Sequence, residues 1–182
     1  MTQEPEQANQ PMYPWITSLP EFLAHAHAIE VDAYERYILL ADSMDVANNK
    51  ELAGLFRKLA SHEQKHADEI LKRAGDIVLP QIRLADQTWA DGESPEAASL
   101  EQAHYLMTPW HALQMALQAE QRAFDFFDHL CNNVADDEMK KWAEEFREEE
   151  AEHVRLVEEL LVRYPKPEDG WDHDDDPPMY QE

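Results

Sequence analysis

The chain is poor in cysteine, glycine and positive charge, and it has no long apolar run. One cysteine in 182 residues, Cys131, excludes an internal disulfide and any four-cysteine iron or zinc site. It falls near the end of an apolar helical stripe, where a small buried hydrophobe is expected. Only 4 glycines, set among long Ala-, Glu- and Leu-rich segments, favour helix over sheet. Lys and Arg number 15 against 39 Asp and Glu, a formal net charge of −24. That balance disfavours nucleic acid as a partner, because such binding needs a basic face to displace counterions. No apolar stretch approaches the ~20 residues of a membrane span. The opening MTQEPEQANQPMYPW also lacks the basic-then-apolar order of a signal peptide. A cytoplasmic protein with no membrane partner is the expectation.

What is present is helical period. Residues 1–17 read as a polar N-terminal tail, 18–163 as one helical domain and 164–182 as an acidic, solvated C-terminal tail. Ser18 and Glu21 form a capping-box start with Pro20 in the first turn, and a first helix is expected to about Asp45. Its inward stripe is Leu23, Ala26, Glu30, Ala33, Tyr37, Ala41 and Met44. After an Asn48-Asn49 turn, a second helix carries Leu52, Leu55, Leu59, Glu63, His66 and Ile70 inward and stops at Gly75. A connection of about 30 residues follows, long enough to run the length of a bundle. Within it, Pro95 to Tyr105 is a candidate short helix. Thr108-Pro109 restarts regular structure. The third helix turns Leu113, Ala116, Glu120, Ala123, Phe127 and Leu130 inward; the fourth, after a turn at 132–136, turns in Met139, Trp142, Phe146, Glu150, His153, Val157 and Leu160.

The two halves repeat. Glu30, Ala33, Tyr34 and Tyr37 align with Glu120, Ala123, Phe124 and Phe127, and the Glu63/His66 pair aligns with Glu150/His153. Spacing alone is weak: Glu101/His104 has the same Glu-x-x-His form but lies in the connection with no matching carboxylate. Height is the stronger test. Glu30 stands 18 residues before a turn near residue 48 and Glu63 15 after it, while Glu120 and Glu150 each stand 15 from a turn near 135. At ~1.5 Å per residue, the four acids lie within about one helical turn of the same level. The expected fold is therefore an all-α antiparallel four-helix bundle of two hairpins joined by a long crossover.

Four carboxylates in one core repel one another and lose hydration, a cost of several kcal/mol each if unpaired (~3–5 on breaking a buried pair). Two divalent cations remove that cost: four Glu and two neutral imidazoles leave a neutral set. Mixed carboxylate oxygen and imidazole nitrogen suits iron or manganese better than the thiolate-rich sites of structural zinc. Glu30, Glu63, His66, Glu120, Glu150 and His153 thus form a candidate ligand set for two iron ions, with manganese or zinc as substitutes.

Over about residues 18–163 these motifs resemble the rubrerythrin-like family of the ferritin-like superfamily. The resemblance implies that Glu63 and Glu150 bridge the metals, with Glu30 and His66 terminal on one ion and Glu120 and His153 on the other. It also implies that Tyr37, seven residues after Glu30, donates a hydrogen bond to the site; Phe127 holds the equivalent place in the second half. Full-length rubrerythrins carry a four-cysteine rubredoxin domain, which a chain with Cys131 alone lacks. Many have an extra Glu near the third-helix ligand. Ala116, Leu117, Ala123 and Phe124 leave none one turn from Glu120, which implies a symmetric six-ligand site of the bacterioferritin kind. The implied function is a di-iron oxidoreductase that oxidises Fe(II) with O2 or H2O2, as a ferroxidase or peroxidase. It would draw electrons from an external donor protein and work as a homodimer or small homo-oligomer. Iron storage is the alternative, although no fifth helix of the kind ferritin cages use follows Pro165; a dimanganese catalase would use nearly the same ligands.

Overall fold

The computed structural model describes residues 12–83, 89, 94–100 and 103–174. Four helices account for its regular structure: α1 Leu19–Val46, α2 Lys50–Ala74, α3 Pro109–Asn133 and α4 Asp137–Leu161. Each begins where local chemistry satisfies the free N–H groups of a first turn. Ser18 accepts from the Glu21 amide, Asn49 from Leu52 and Asp136 from Met139. Thr108 donates its own amide to His111 Nδ1, 3.1 Å away, at the head of α3. At the other end of α2, Gly75 adopts φ 59°, a left-handed conformation that costs glycine nothing.

α1 packs along α2 and α3 along α4, so each hairpin is a unit, and the two hairpins meet more narrowly through α2–α3 and α1–α4. Asn49 fixes their direction by donating from Nδ2 to the Met107 carbonyl at 2.9 Å, which sets the first hairpin's turn beside the start of α3. α2 ends at the opposite end of the bundle, about 37 Å away for 25 residues. The connection from 75 to 108 must therefore cross the full length, as its size implied.

Two apolar clusters fill the bundle above and below the level of the acidic residues. One is aromatic, with Phe22, Phe126, Phe127 and Phe146. The other is largely aliphatic, with Leu40, Met44, Leu52, Phe56 and Leu113. Every inward residue expected on α1 and α3 is buried. On α2 the stripe is broader than expected, taking in Phe56, Ala60 and Ala67 while Leu55 is half-exposed. Arg73 of α2 joins the hairpins at the aromatic end. It pairs with Glu145 and, at 2.8 Å, with Glu149 of α4, and its guanidinium lies 4.9 Å from the Trp142 ring.

Three expectations need correction. Residues 12–17 are not a solvated tail: Tyr13 and Ile16 are buried in the aromatic cluster, and the Tyr13 ring lies 4.8 Å from that of Phe126. The described part of the C-terminal segment also packs, with Trp171 against His111 at 3.8 Å and Tyr105 donating to Asp174 at 2.7 Å. In both places aromatic residues spaced too irregularly for a helical stripe found apolar surface left open at the bundle ends. Finally, no helix starts at Pro95: Pro95 and Glu96 form a turn, residues 97–99 are irregular, and among the described residues up to Tyr105 helical geometry, of the 3-10 type, occurs at Leu100. Pro95 and the buried run Ser94–Ala98 follow the bundle surface instead.

Candidate metal centre

Each helix delivers acid to the same level from a position its apolar period turns inward. Glu30, Glu63, Glu120 and Glu150 are all buried, Glu150 to 1% exposure, while His66 and His153 are half-buried. Two triads result, Glu30 with Glu63 and His66, and Glu120 with Glu150 and His153, each with ligand atoms within 4.8 Å of one another. The halves match in detail. His66 Nδ1 lies 3.6 Å from Glu30 Oε2 and 3.5 Å from Glu63 Oε2. His153 Nδ1 lies 3.4 Å from Glu120 Oε2 and 3.1 Å from Glu150 Oε2. The two imidazoles stack across the bundle at 4.3 Å with their planes 5° apart. All six residues singled out by register thus come together. Glu101 lies outside the described residues, and His104 is used elsewhere, accepting from the Leu106 amide and stacking on Tyr105.

A seventh residue, the fifth acid, was missed. Glu96, from the crossover, is buried and forms a third group with Glu30 and Glu150, again within 4.8 Å. Arg122 of α3 holds it there, donating from Nε to the Pro95 carbonyl at 2.9 Å and from Nη2 to the Ala97 carbonyl at 2.8 Å. The chain is pinned on both sides of Glu96, whose carboxylate then projects into the core. The symmetric six-ligand expectation is therefore corrected: an extra carboxylate reaches the centre from the connection, where a search one turn from Glu120 could not find it. Its one local signal was Ser94-Pro95-Glu96-Ala97-Ala98, a Glu inside a run of small residues in an otherwise polar stretch.

The electrostatics are those of a site that needs cations. Burial raises Glu30 well above the usual carboxylate range, and Glu96, Glu150, Glu63 and Glu120 add to the shift. Glu96 is raised by burial and then by Glu150 and Glu63. Burial also raises Glu63, against the opposing influence of the nearby His66 imidazole. Glu150 is pushed by burial up to about 7, although His153 opposes the change. His153 loses solvation on burial, yet the Glu120 and Glu150 carboxylates outweigh that loss and push it up to about 11. Among the described residues, Glu30 Oε2, Glu63 Oε2, Glu120 Oε2, His66 Nδ1 and both Glu96 oxygens are buried without a hydrogen-bond partner. Buried acceptors are rarely left so, and six in one cluster fit a pair of metal ions.

Tyr37 is buried in the adjoining core, 6.1 Å from the Phe56 ring. Its hydroxyl has no hydrogen-bond partner among the described residues. Its pKa is raised by burial first and then by Glu120, Glu63 and Glu96, which places it among the acids without the expected donated bond.

Residues 21–161 match the Rubrerythrin family. The chain belongs to the rubrerythrin family. Among solved structures, an uncharacterised conserved protein from Magnetospirillum magnetotacticum MS-1 is similar to this rubrerythrin-family chain, with 37% identity and a TM-score of 0.64. The match covers 84% of this chain and 99% of that one. No curated protein matches. The all-α ferritin-like bundle and the Glu/His clusters are compatible with a carboxylate-bound metal site.

Proposed function

We propose that the chain is a cytoplasmic di-iron oxidoreductase that oxidises Fe(II) with O2 or H2O2. The observation that carries this reading is the pair of matched Glu–Glu–His triads, buried back to back and short of hydrogen-bond partners. Glu30, Glu63 and His66 would hold one ion and Glu120, Glu150 and His153 the other, with Glu63 and Glu150 as the carboxylates the two ions would share. Two bound iron ions would supply one electron each to the oxidant. Manganese would fit the same oxygen and nitrogen donors.

The protein's own part is charge and proton control. Glu96 makes five carboxylates where six-ligand symmetry has four, so the set carries one negative charge beyond that of two divalent cations. That excess favours the more highly charged oxidised ions, or else leaves a proton on the Glu96 carboxyl, close to Glu30 and Glu150 where oxygen reduction consumes protons. Tyr37, buried beside the acids, keeps that side dry. Repeated turnover would draw electrons from a separate donor protein. A homodimer or small homo-oligomer is the expected assembly.

Anaerobic Fe(II) titration tests the reading. Two irons bound per chain, followed by an absorbance change on adding O2 or H2O2, are expected. One iron or none, or no absorbance change with either oxidant, overturns it. Oxygen evolution from peroxide by the manganese-loaded protein alone would instead identify a catalase.

A further inference from the structure

A cavity of about 330 Å³ opens between α2, α3 and α4 beside the metal centre. Glu63, His66, Glu120 and His153 close its inner end. Its walls are aliphatic: Leu55 and Leu59 from α2, Leu113 from α3, Leu156 and Leu160 from α4. Arg73 ties α2 to α4 at the opposite, aromatic end. On the cavity wall Leu156 remains 42% exposed. O2 needs nothing so large, since a water molecule's share of liquid is about 30 Å³. The size and apolar lining are those of a small-molecule pocket with a few polar groups at its ends.

Charge selects the occupant. Two cationic residues, Lys58 and Arg163, line the cavity and are themselves exposed. In a chain of net charge −24, Lys50, Arg36, Arg57, Arg73, Arg147 and Arg155 are taken up in ion pairs. Lys58 and Arg163 have no such partner among the described residues; Lys65, Lys72, Lys140 and Lys141 share that lack, but Lys58 and Arg163 are the ones that line the cavity. The acidic inner end repels an anion and the cationic rim attracts one, so an amphipathic anion would lie with its apolar end inward. From Glu63 back to Leu55 is 8 residues along α2, about 12 Å of wall. That length suits an unbranched chain of about ten carbons.

We propose that this cavity binds a medium-chain alkyl carboxylate, headgroup at Lys58 and Arg163 and methyl end toward His66 and His153. It would place an organic molecule against the metal centre, and only that consequence rests on the di-iron reading; the binding itself does not.

Calorimetric titration of the full chain with decanoate, metal-free and iron-loaded, tests the proposal. Saturable binding of one decanoate per chain is expected, with decanol and decyltrimethylammonium each weaker by about tenfold. Leu156→Trp, at an exposed wall position, should abolish binding by filling the cavity, and Lys58→Glu with Arg163→Glu should weaken it about tenfold. Unchanged circular dichroism would show each variant folded. No saturable binding, equal affinity for decanol, or indifference to Leu156→Trp overturns the proposal. So does a native dimer that Leu156→Trp dissociates, since the groove would then be an interface between copies. Iron stoichiometry on the same samples separates the two readings: decanoate binding without two-iron binding defeats only the di-iron one.

Discussion

Arg122 spends two of its donors on the backbone either side of Glu96, and that small arrangement holds an acid inside a core that already contains four. Arg122→Ala leaves two buried carbonyls short of a donor and frees the crossover, at a cost of about 2–4 kcal/mol by the usual worth of charged hydrogen bonds. Urea denaturation measures it. Arg122→Lys, which can reach one carbonyl at most, should recover part of that loss.

The titrating residues make a second prediction. Glu30, Glu63, Glu96 and Glu150 have folded pKa values above the ordinary carboxylate range, and His153 lies at about 11, above its ordinary 6.5. A raised folded pKa means that the folded state holds its proton more tightly than the unfolded chain does. The stabilisation is complete below the unfolded pKa and is lost as pH climbs through the folded value. For Glu150 that window runs from its unshifted 4.5 to about 7. The metal-free protein should therefore melt at progressively lower temperature between about pH 5 and pH 8. Metal-loaded protein should show little of this slope, because cations replace the protons. Melting curves at both pH values, with and without chelator, decide it; a metal-free Tm that rises with pH would contradict the assignment.

At the scale of elements, Asn49 serves two helices. Its Oδ1 caps α2 by accepting from Leu52, and its Nδ2 ties the first hairpin's turn to Met107 at the head of α3. Asn49→Asp keeps the acceptor and loses the donor, while Asn49→Ala loses both. The expected costs are about 1 kcal/mol for the first and about 2 kcal/mol for the second. Denaturant midpoints should fall in that order; equal losses would mean that the cap alone matters. Helix boundaries and the levels of the four acids and two histidines were legible because each helix keeps a 3- and 4-residue apolar step between identifiable caps. The crossover was legible only in length. Pro95–Ala98 has no period, so which of its residues would turn inward depended on Arg122, 25 residues from Ala97 along the chain.

For the whole molecule, the proposed metal binding would couple to the fold. Five buried carboxylates repel one another in the metal-free bundle, and ligands present only in the folded state add their binding energy to its stability. Chelation at pH 7.5 should lower Tm by more than about 10 °C, and readdition of Fe(II) under nitrogen should restore it. A calorimetric scan that moves by less than a few degrees would mean that the cluster binds metal weakly or not at all.

The amino-acid sequence by itself determined the helices, the two-hairpin repeat and the six residues Glu30, Glu63, His66, Glu120, Glu150 and His153, because helical period converts spacing directly into facing. Tertiary structure decided what period cannot express. It decided that Tyr13, Ile16 and Trp171 cover the bundle ends, that α2, α3 and α4 enclose a cavity lined by leucines, and that Glu96 joins the acids. Each depends on surfaces distant in sequence meeting in space, and an irregular segment has no periodicity that would record such a meeting in advance.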